Sequence, residues 1–134
     1  MIITEYSQGR LRATFSKWSV AKDFADPMYN YLVYGYEPGS FFTAVLANDF
    51  MAAVLKSHPS NTIPALKNLV GWMNDCMPTD AYGSYTAVAE WYKMDDEDRR
   101  YCLERHNLMY TTKEEVWKTL KGDPVEKYAW SDDI

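Results

Sequence analysis

Ser40-Phe41-Phe42-Thr43-Ala44-Val45-Leu46-Ala47-Asn48-Asp49-Phe50-Met51-Ala52-Ala53-Val54-Leu55-Lys56 is the most strongly patterned stretch of this 134-residue chain. Its reading sets the fold class. Glu37-Pro38-Gly39 before it is a turn signal, and Ser40 suits a helix N-cap, where a hydroxyl accepts from a free backbone N–H. On a helical wheel Phe42, Val45, Leu46, Phe50 and Ala53 share one face, the spacing of a helix that lays one side on a core. The pattern predicts a helix over roughly 41–56.

Further helices follow on both sides. Asp26-Pro27 reads as a start, with Asp as N-cap and Pro in the first position, and the segment through Tyr29, Leu32 and Val33 stops near Gly35. His58-Pro59-Ser60-Asn61 breaks the chain. A helix then opens near Thr62 or Ile63, tolerates Pro64 in its first turn, carries Ile63, Leu66, Leu69, Val70 and Met73 at helical spacing, and closes before Pro78. Ser84 caps a short helix with Tyr85, Val88, Trp91 and Tyr92 on one face. Asp95 and Asp98 resemble a capping box with shorter acids, and Arg99, Arg100 and Arg105 follow towards the other end. Thr111 with Glu114 opens a last helix through Val116, Trp117 and Leu120, ended by Gly122 and Pro124.

The N-terminus reads differently. Ile2-Ile3-Thr4-Glu5-Tyr6, the turn signal Ser7-Gln8-Gly9, and the alternation of Leu11, Ala13 and Phe15 with Arg10, Arg12 and Thr14 fit a small β-hairpin over residues 1–16. A helix over 16–24 competes for the segment after it. The expected fold is therefore mainly α: a compact single domain of five to six short helices, with an N-terminal hairpin and a mobile tail over 123–134.

Composition narrows the function classes. Residues 1–78 hold six acids and six bases, so the net charge of −5 lies wholly in residues 79–134, with thirteen acids against eight bases. A sequence-reading DNA-binding module needs a basic footprint, and none is present. No run is long enough to span a bilayer, no signal peptide is visible, and Cys76 and Cys102 do not make a disulfide framework, so a cytoplasmic protein is expected. Aromatics are the compositional excess, with 11 Tyr and 5 Trp. They suit either a Tyr-rich core or a binding surface, and they favour self-association.

No catalytic or cofactor motif stands out. There is no C-x-x-C, H-E-x-x-H, G-x-S-x-G or Gly-rich phosphate loop. Cys102 and His106 lie four apart, but a zinc site needs three or four ligands. No metal or cofactor is expected, and no catalytic residue is assigned. Asp49 falls in the middle of the apolar stripe, where a carboxylate is costly unless bonded. It reads either as a structural acceptor for a tyrosine, a tryptophan or a helix start, or as a ligand-holding acid beside Asn48. The helix starts at Gly39-Ser40, Ser60-Asn61-Thr62 and Gly83-Ser84 present free N–H groups that attract anions, with Lys56 and Lys67 available beside them. Tyr82 and Trp91 belong to an aromatic cluster with Tyr29, Tyr31, Tyr34, Tyr36 and Tyr85. The candidate binding set is thus Ser40, Asn48, Asp49, Asn61, Lys67, Tyr82, Ser84 and Trp91.

The stretch from Tyr31 to Tyr92 resembles a group of small helical proteins encoded by bacteriophages. The likeness is carried by Pro38-Gly39-Ser40-Phe41-Phe42, Ala44-Val45-Leu46-Ala47-Asn48-Asp49, Ser60-Asn61-Thr62, Trp72-Met73 and Gly83-Ser84, and is sharpest over 38–49. It transfers no catalytic residue. It implies a viral accessory protein that binds and disables a host protein, or sequesters a small anionic, nucleotide-like ligand. A small hydrolase or transferase using Asp49 with His58 or a tyrosine is the alternative, and a structural or assembly protein is a third.

Overall fold

The computed structural model describes residues 5–109. They form seven α-helices: α1 (Glu5–Lys17), α2 (Lys22–Tyr34), α3 (Ser40–Leu46), α4 (Phe50–Lys56), α5 (Ile63–Cys76), α6 (Tyr85–Lys93) and α7 (Asp96–Arg105). A 3-10 turn spans Thr79–Ala81, and no strand occurs among the described residues. The mainly helical class follows from the apolar periodicity. The helix proposed from Thr111 and the tail lie outside the described residues, as do residues 1–4 of the proposed hairpin.

The rest of that hairpin is helical. In α1, Leu11 and Phe15 are buried one turn apart, Gln8 is buried a turn earlier, and Ala13 is exposed. The alternation of 11, 13 and 15 was therefore incidental, and the 8, 11, 15 spacing places the core face. Phe15 stacks on Trp72 of α5 with ring centroids 4.7 Å apart, and the Trp72 Nε1–H donates to Thr14 Oγ1 at 2.8 Å.

α2 is the central helix. Phe24, Ala25, Met28, Tyr29, Tyr31, Leu32 and Val33 are all buried, more than one face accounts for, because α6 and α7 both pack against it. It begins at Lys22, not at Asp26, and Pro27 lies inside it. Proline there forfeits the bond to the carbonyl of Asp23, an exposed residue, and crowds that carbonyl, and packing of the buried face holds the helix through it. The end was legible: Gly35 takes a left-handed φ of 69°, and its N–H donates to Tyr31 O at 3.1 Å.

The helix expected over 41–56 is two helices. Leu46 would offer its carbonyl to Phe50 N–H in a continuous helix, but Gly83 N–H takes it at 2.7 Å. Asn48 turns to φ 62°, and Asp49 restarts the chain as N-cap of α4, accepting from Ala52 N–H at 3.2 Å. Asp49 therefore sits at a helix start and not within an apolar stripe. Ser40 is the first residue of α3, and Gly39 takes the cap position with no side-chain bond.

Thr62 and Ser84 cap α5 and α6 as expected, accepting from Ala65 N–H at 3.2 Å and Ala87 N–H at 3.0 Å. Asp95 precedes α7 but makes no side-chain cap bond, and Arg99 and Arg100 are buried near the start of α7 instead of lying at its end. Of the apolar positions expected to face inward on α5 and α6, Leu69, Met73, Val88 and Trp91 do so. Ile63, Val70 and Tyr85 are exposed.

Candidate functional site

The break at Asn48 decides what α4 presents. Six of its seven residues, all but Lys56, would bury readily in a core, yet no residue of α4 is buried. Phe50 is 76% exposed, Met51 70% and Leu55 80%. The turn at Asn48 and Asp49 folds α4 back on α3, its main packing partner, and leaves its other sides open.

Beside α4 runs a groove of about 320 Å³. Phe41, Ala44 and Val45 of α3 contribute to its lining, Phe50, Ala53 and Val54 of α4 form one wall, and Leu66 and Val70 of α5 form the other. Among the described residues its polar lining is Asn48, Asp49 and Ser57. A second cavity of about 240 Å³ shares Val45, Asn48 and Val70 and adds Met73, Asn74, Tyr82 and Gly83. Among the described residues no lysine or arginine lines either one.

Asp49 anchors α4. The Tyr85 hydroxyl donates to its Oδ2 at 2.6 Å, and Ala52 N–H bonds Oδ1. The Tyr85 bond, then the Ala52 bond, hold the carboxyl below the usual carboxylate range, and the same tyrosine bond raises the Tyr85 hydroxyl above its ordinary value. At the other end of α4, Asn61 Nδ2–H donates to Ser57 Oγ at 3.0 Å. His58 Nδ1 lies 2.6 Å from Ser60 Oγ.

The sequence-derived candidates thus separate. Asn48, Asp49 and Tyr82 line the two adjoining cavities, and Asn61 holds the end of the groove through Ser57. Ser40 and Lys67 are exposed on α3 and α5, next to the lining residues Phe41 and Leu66. Ser84 serves its own helix as N-cap. Trp91 is fully buried, donating Nε1–H to Tyr31 O at 3.1 Å. The described Tyr and Trp residues divide: Trp72, Trp91, Tyr29 and Tyr31 are fully buried, whereas Tyr36, Tyr85 and Tyr101 are exposed.

What the wheel missed is the open row Phe50, Met51, Val54 and Leu55. The signal was Asn48-Asp49 itself, since Asn tolerates a left-handed turn and Asp is a favoured N-cap.

Elsewhere, a polar cavity of about 430 Å³ is lined by Asp80, Met94, Asp98, Tyr101, Cys102 and Arg105. Burial, then the nearby Asp80 carboxylate, raise the Cys102 thiol. Burial, then its bond to Asp75, push the Cys76 thiol up to about 11, which leaves it a poor nucleophile at neutral pH. Among the described residues no three His, Cys, Asp or Glu side chains gather as a metal site. No helix among them is long and apolar enough to cross a membrane.

Compared with known proteins, the chain matches no family model, and neither a curated protein nor a solved structure shows significant similarity to it.

Proposed function

We propose that this chain is a non-catalytic binding protein that works by seating another protein on the face formed by α4 and α5. The observation that carries the reading is a helix rich in apolar residues with none of them buried, set beside an apolar groove. Helix-in-groove recognition uses such surfaces, with a few large apolar side chains as anchors. The likeness of residues 38–49 to phage-encoded accessory proteins makes a host protein in the host cytoplasm the partner we infer.

The two other readings draw less support. A small anionic ligand would want a cation in its site, and among the described residues neither cavity beside α4 has one in its lining. A hydrolase using Asp49 would want a carboxyl poised to take a proton. Asp49 is instead held ionised by two hydrogen bonds.

The test is co-purification from host cells of the chain and its Leu55→Glu variant. A stoichiometric partner captured by the parent and lost by the variant, at equal melting temperature, supports the reading. A partner captured equally by both removes it.

A further inference from the structure

We propose that, in the free protein, a second copy of this chain closes the α4–α5 face, paired about a two-fold axis with the two α4 helices antiparallel. This rests on the reading of that face as a docking surface and names its occupant.

Area is the first argument. Phe50, Met51, Val54 and Leu55 of α4 and Ile63 and Val70 of α5 range from 55% to 80% exposed. Only Phe50 is aromatic, at about 150–250 Å² when whole, and the aliphatic chains are smaller, so together they leave on the order of 600 Å² of apolar surface open. The largest apolar patch on a monomer is usually about 300–600 Å². A stable interface takes about 800 Å² from each partner. The face therefore stands at the top of the monomer range and supplies most of one half of a dimer contact, with a polar rim making up the rest.

Shape is the second argument. A two-fold contact must be complementary to itself. Here a ridge and a groove lie side by side. Met51 and Leu55 are one turn apart on α4 and do not line the groove, whereas Phe50 and Val54 form its wall. Setting the ridge of one copy into the groove of the other fills both grooves at once. The product is a four-helix layer of α4 and α5 from each copy.

Charge is the third argument. The chain carries −5 overall, yet its one carboxylate in the groove lining, Asp49, is engaged by Tyr85 and Ala52. The net deficit lies in residues 79–134, outside α4 and α5, so like-charge repulsion across this face is small. Asp49 stands at the start of α4 and Lys56 at its end. Antiparallel pairing brings unlike ends together and opposes the two helix dipoles, and the lysine stem is long enough to reach along the partner helix.

The experiment is sedimentation velocity of the full chain from about 1 to about 500 µM, since self-association is concentration-dependent. Hydrogen exchange is measured at both extremes. The expected result is a mass rising from monomer towards dimer, with the amides of 50–56 and 63–70 slowed at the higher concentration. Leu55→Glu weakens association at least about tenfold, while Tyr101→Glu, which replaces an exposed ring on α7, leaves it unchanged. A chain monomeric throughout overturns the proposal. So does a dimer protected elsewhere, or one indifferent to Leu55→Glu. Loss of a host partner on Leu55→Glu in a chain that stays monomeric would sink the second copy alone and leave the docking face standing.

Discussion

The guanidinium of Arg99 lies flat against the backbone of Gly35: a β-carbon built at residue 35 would meet its Cζ and Nη1 at 2.6 Å. Arg99 is only 3% exposed and donates to the Met94 carbonyl and to Asp96. Burial pulls its pKa down, and Asp96 partly restores it. The left-handed turn that ends α2 is thus also the seat of a buried cation from α7. Gly35→Ala strains φ and displaces that cation, and should cost about 2–4 kcal/mol. In an Arg99→Ala background the same change should cost clearly less, because only the φ strain remains. A double-mutant cycle by urea unfolding checks both. Equal costs in the two backgrounds would mean that the contact carries no energy.

Gly71 makes a useful contrast. It is helical, with no positive φ, and a β-carbon there would meet Trp18 ring atoms at 2.6 and 2.8 Å. Alanine gains about 1 kcal/mol of helix propensity. The ring must move, however, and Trp18 Nε1–H donates to Asp75 Oδ2 at 2.8 Å. That bond, followed by the one from Lys17, holds the Asp75 carboxyl below its usual range. Overpacking costs about 1–3 kcal/mol, so Gly71→Ala should come out destabilising by about 1 kcal/mol, with a changed Trp18 fluorescence. A stabilised variant with unaltered emission would show that the ring yields freely.

How much of this was legible depends on whether the deciding partner was local. Gly35, Thr62, Ser84 and Pro78 act on their own helices, and the sequence placed each boundary. The break at Asn48 is driven in part from far along the chain, by Gly83 N–H capturing the Leu46 carbonyl. Periodicity alone therefore ran the helix through to Lys56. That single error moved Asp49 into a stripe it does not occupy and hid the open face of α4. The hairpin failed for another reason. Leu11, Ala13 and Phe15 satisfy an alternating pattern and two of them a helical one, and only Trp72, which stacks on Phe15, decides between the two. Arg99 was read as a dipole partner because nothing near it in sequence says that Gly35 leaves room for it. Of the candidate site, Asn48, Asp49 and Tyr82 were found by residue type. Their apolar neighbours were not, since exposure is a tertiary property.

Asp49 gives a pH prediction. Its folded pKa lies below the ordinary carboxylate value, with the Tyr85 bond the first cause. A depressed carboxyl contributes stability that is present above its unfolded pKa and lost as pH falls through its folded pKa. The contribution should therefore be constant from pH 7 to about pH 5 and fade below about pH 4. Asp49→Asn keeps a good cap but accepts more weakly from Tyr85, and Asp49→Ala loses both bonds. Melting temperatures should fall in the order parent, Asn, Ala at pH 7, by a few degrees in all. As the carboxyl protonates in acid, the parent should fall towards the Asn variant, while the Ala variant, with no acceptor for Ala52 N–H, stays below both. A gap between parent and Asn that persists in acid would show that the carboxylate charge plays no part.

Tyr29 and Tyr31 make the alkaline counterpart. Burial raises both hydroxyls far above the ordinary tyrosine value. Tyr29 bonds Gln8, and Tyr31 donates to Ala81 O at 2.7 Å. A raised tyrosine contributes stability that holds below its unfolded pKa, near 10, and is lost as pH climbs towards its folded value. Neither ring should ionise while the fold stands. The tyrosinate absorbance of Tyr29 and Tyr31 should therefore appear only together with the loss of helical circular dichroism. Full ionisation before that loss would place both hydroxyls in water.

The two halves of the broken helix should respond in opposite ways to substitution. Leu46, the last residue of α3, is fully buried in the core cluster with Leu69 and Trp72. Leu46→Ala should cost about 3–4 kcal/mol in transfer and cavity terms. Leu55 is 80% exposed on α4, so Leu55→Ser should change monomer stability by no more than about 0.5 kcal/mol. Measured by urea unfolding at low concentration, that asymmetry would separate core from docking surface across nine residues of one apolar run. If instead Leu55→Ser destabilised the monomer as much as Leu46→Ala, α4 would have to be packed, and the face would not be free to bind.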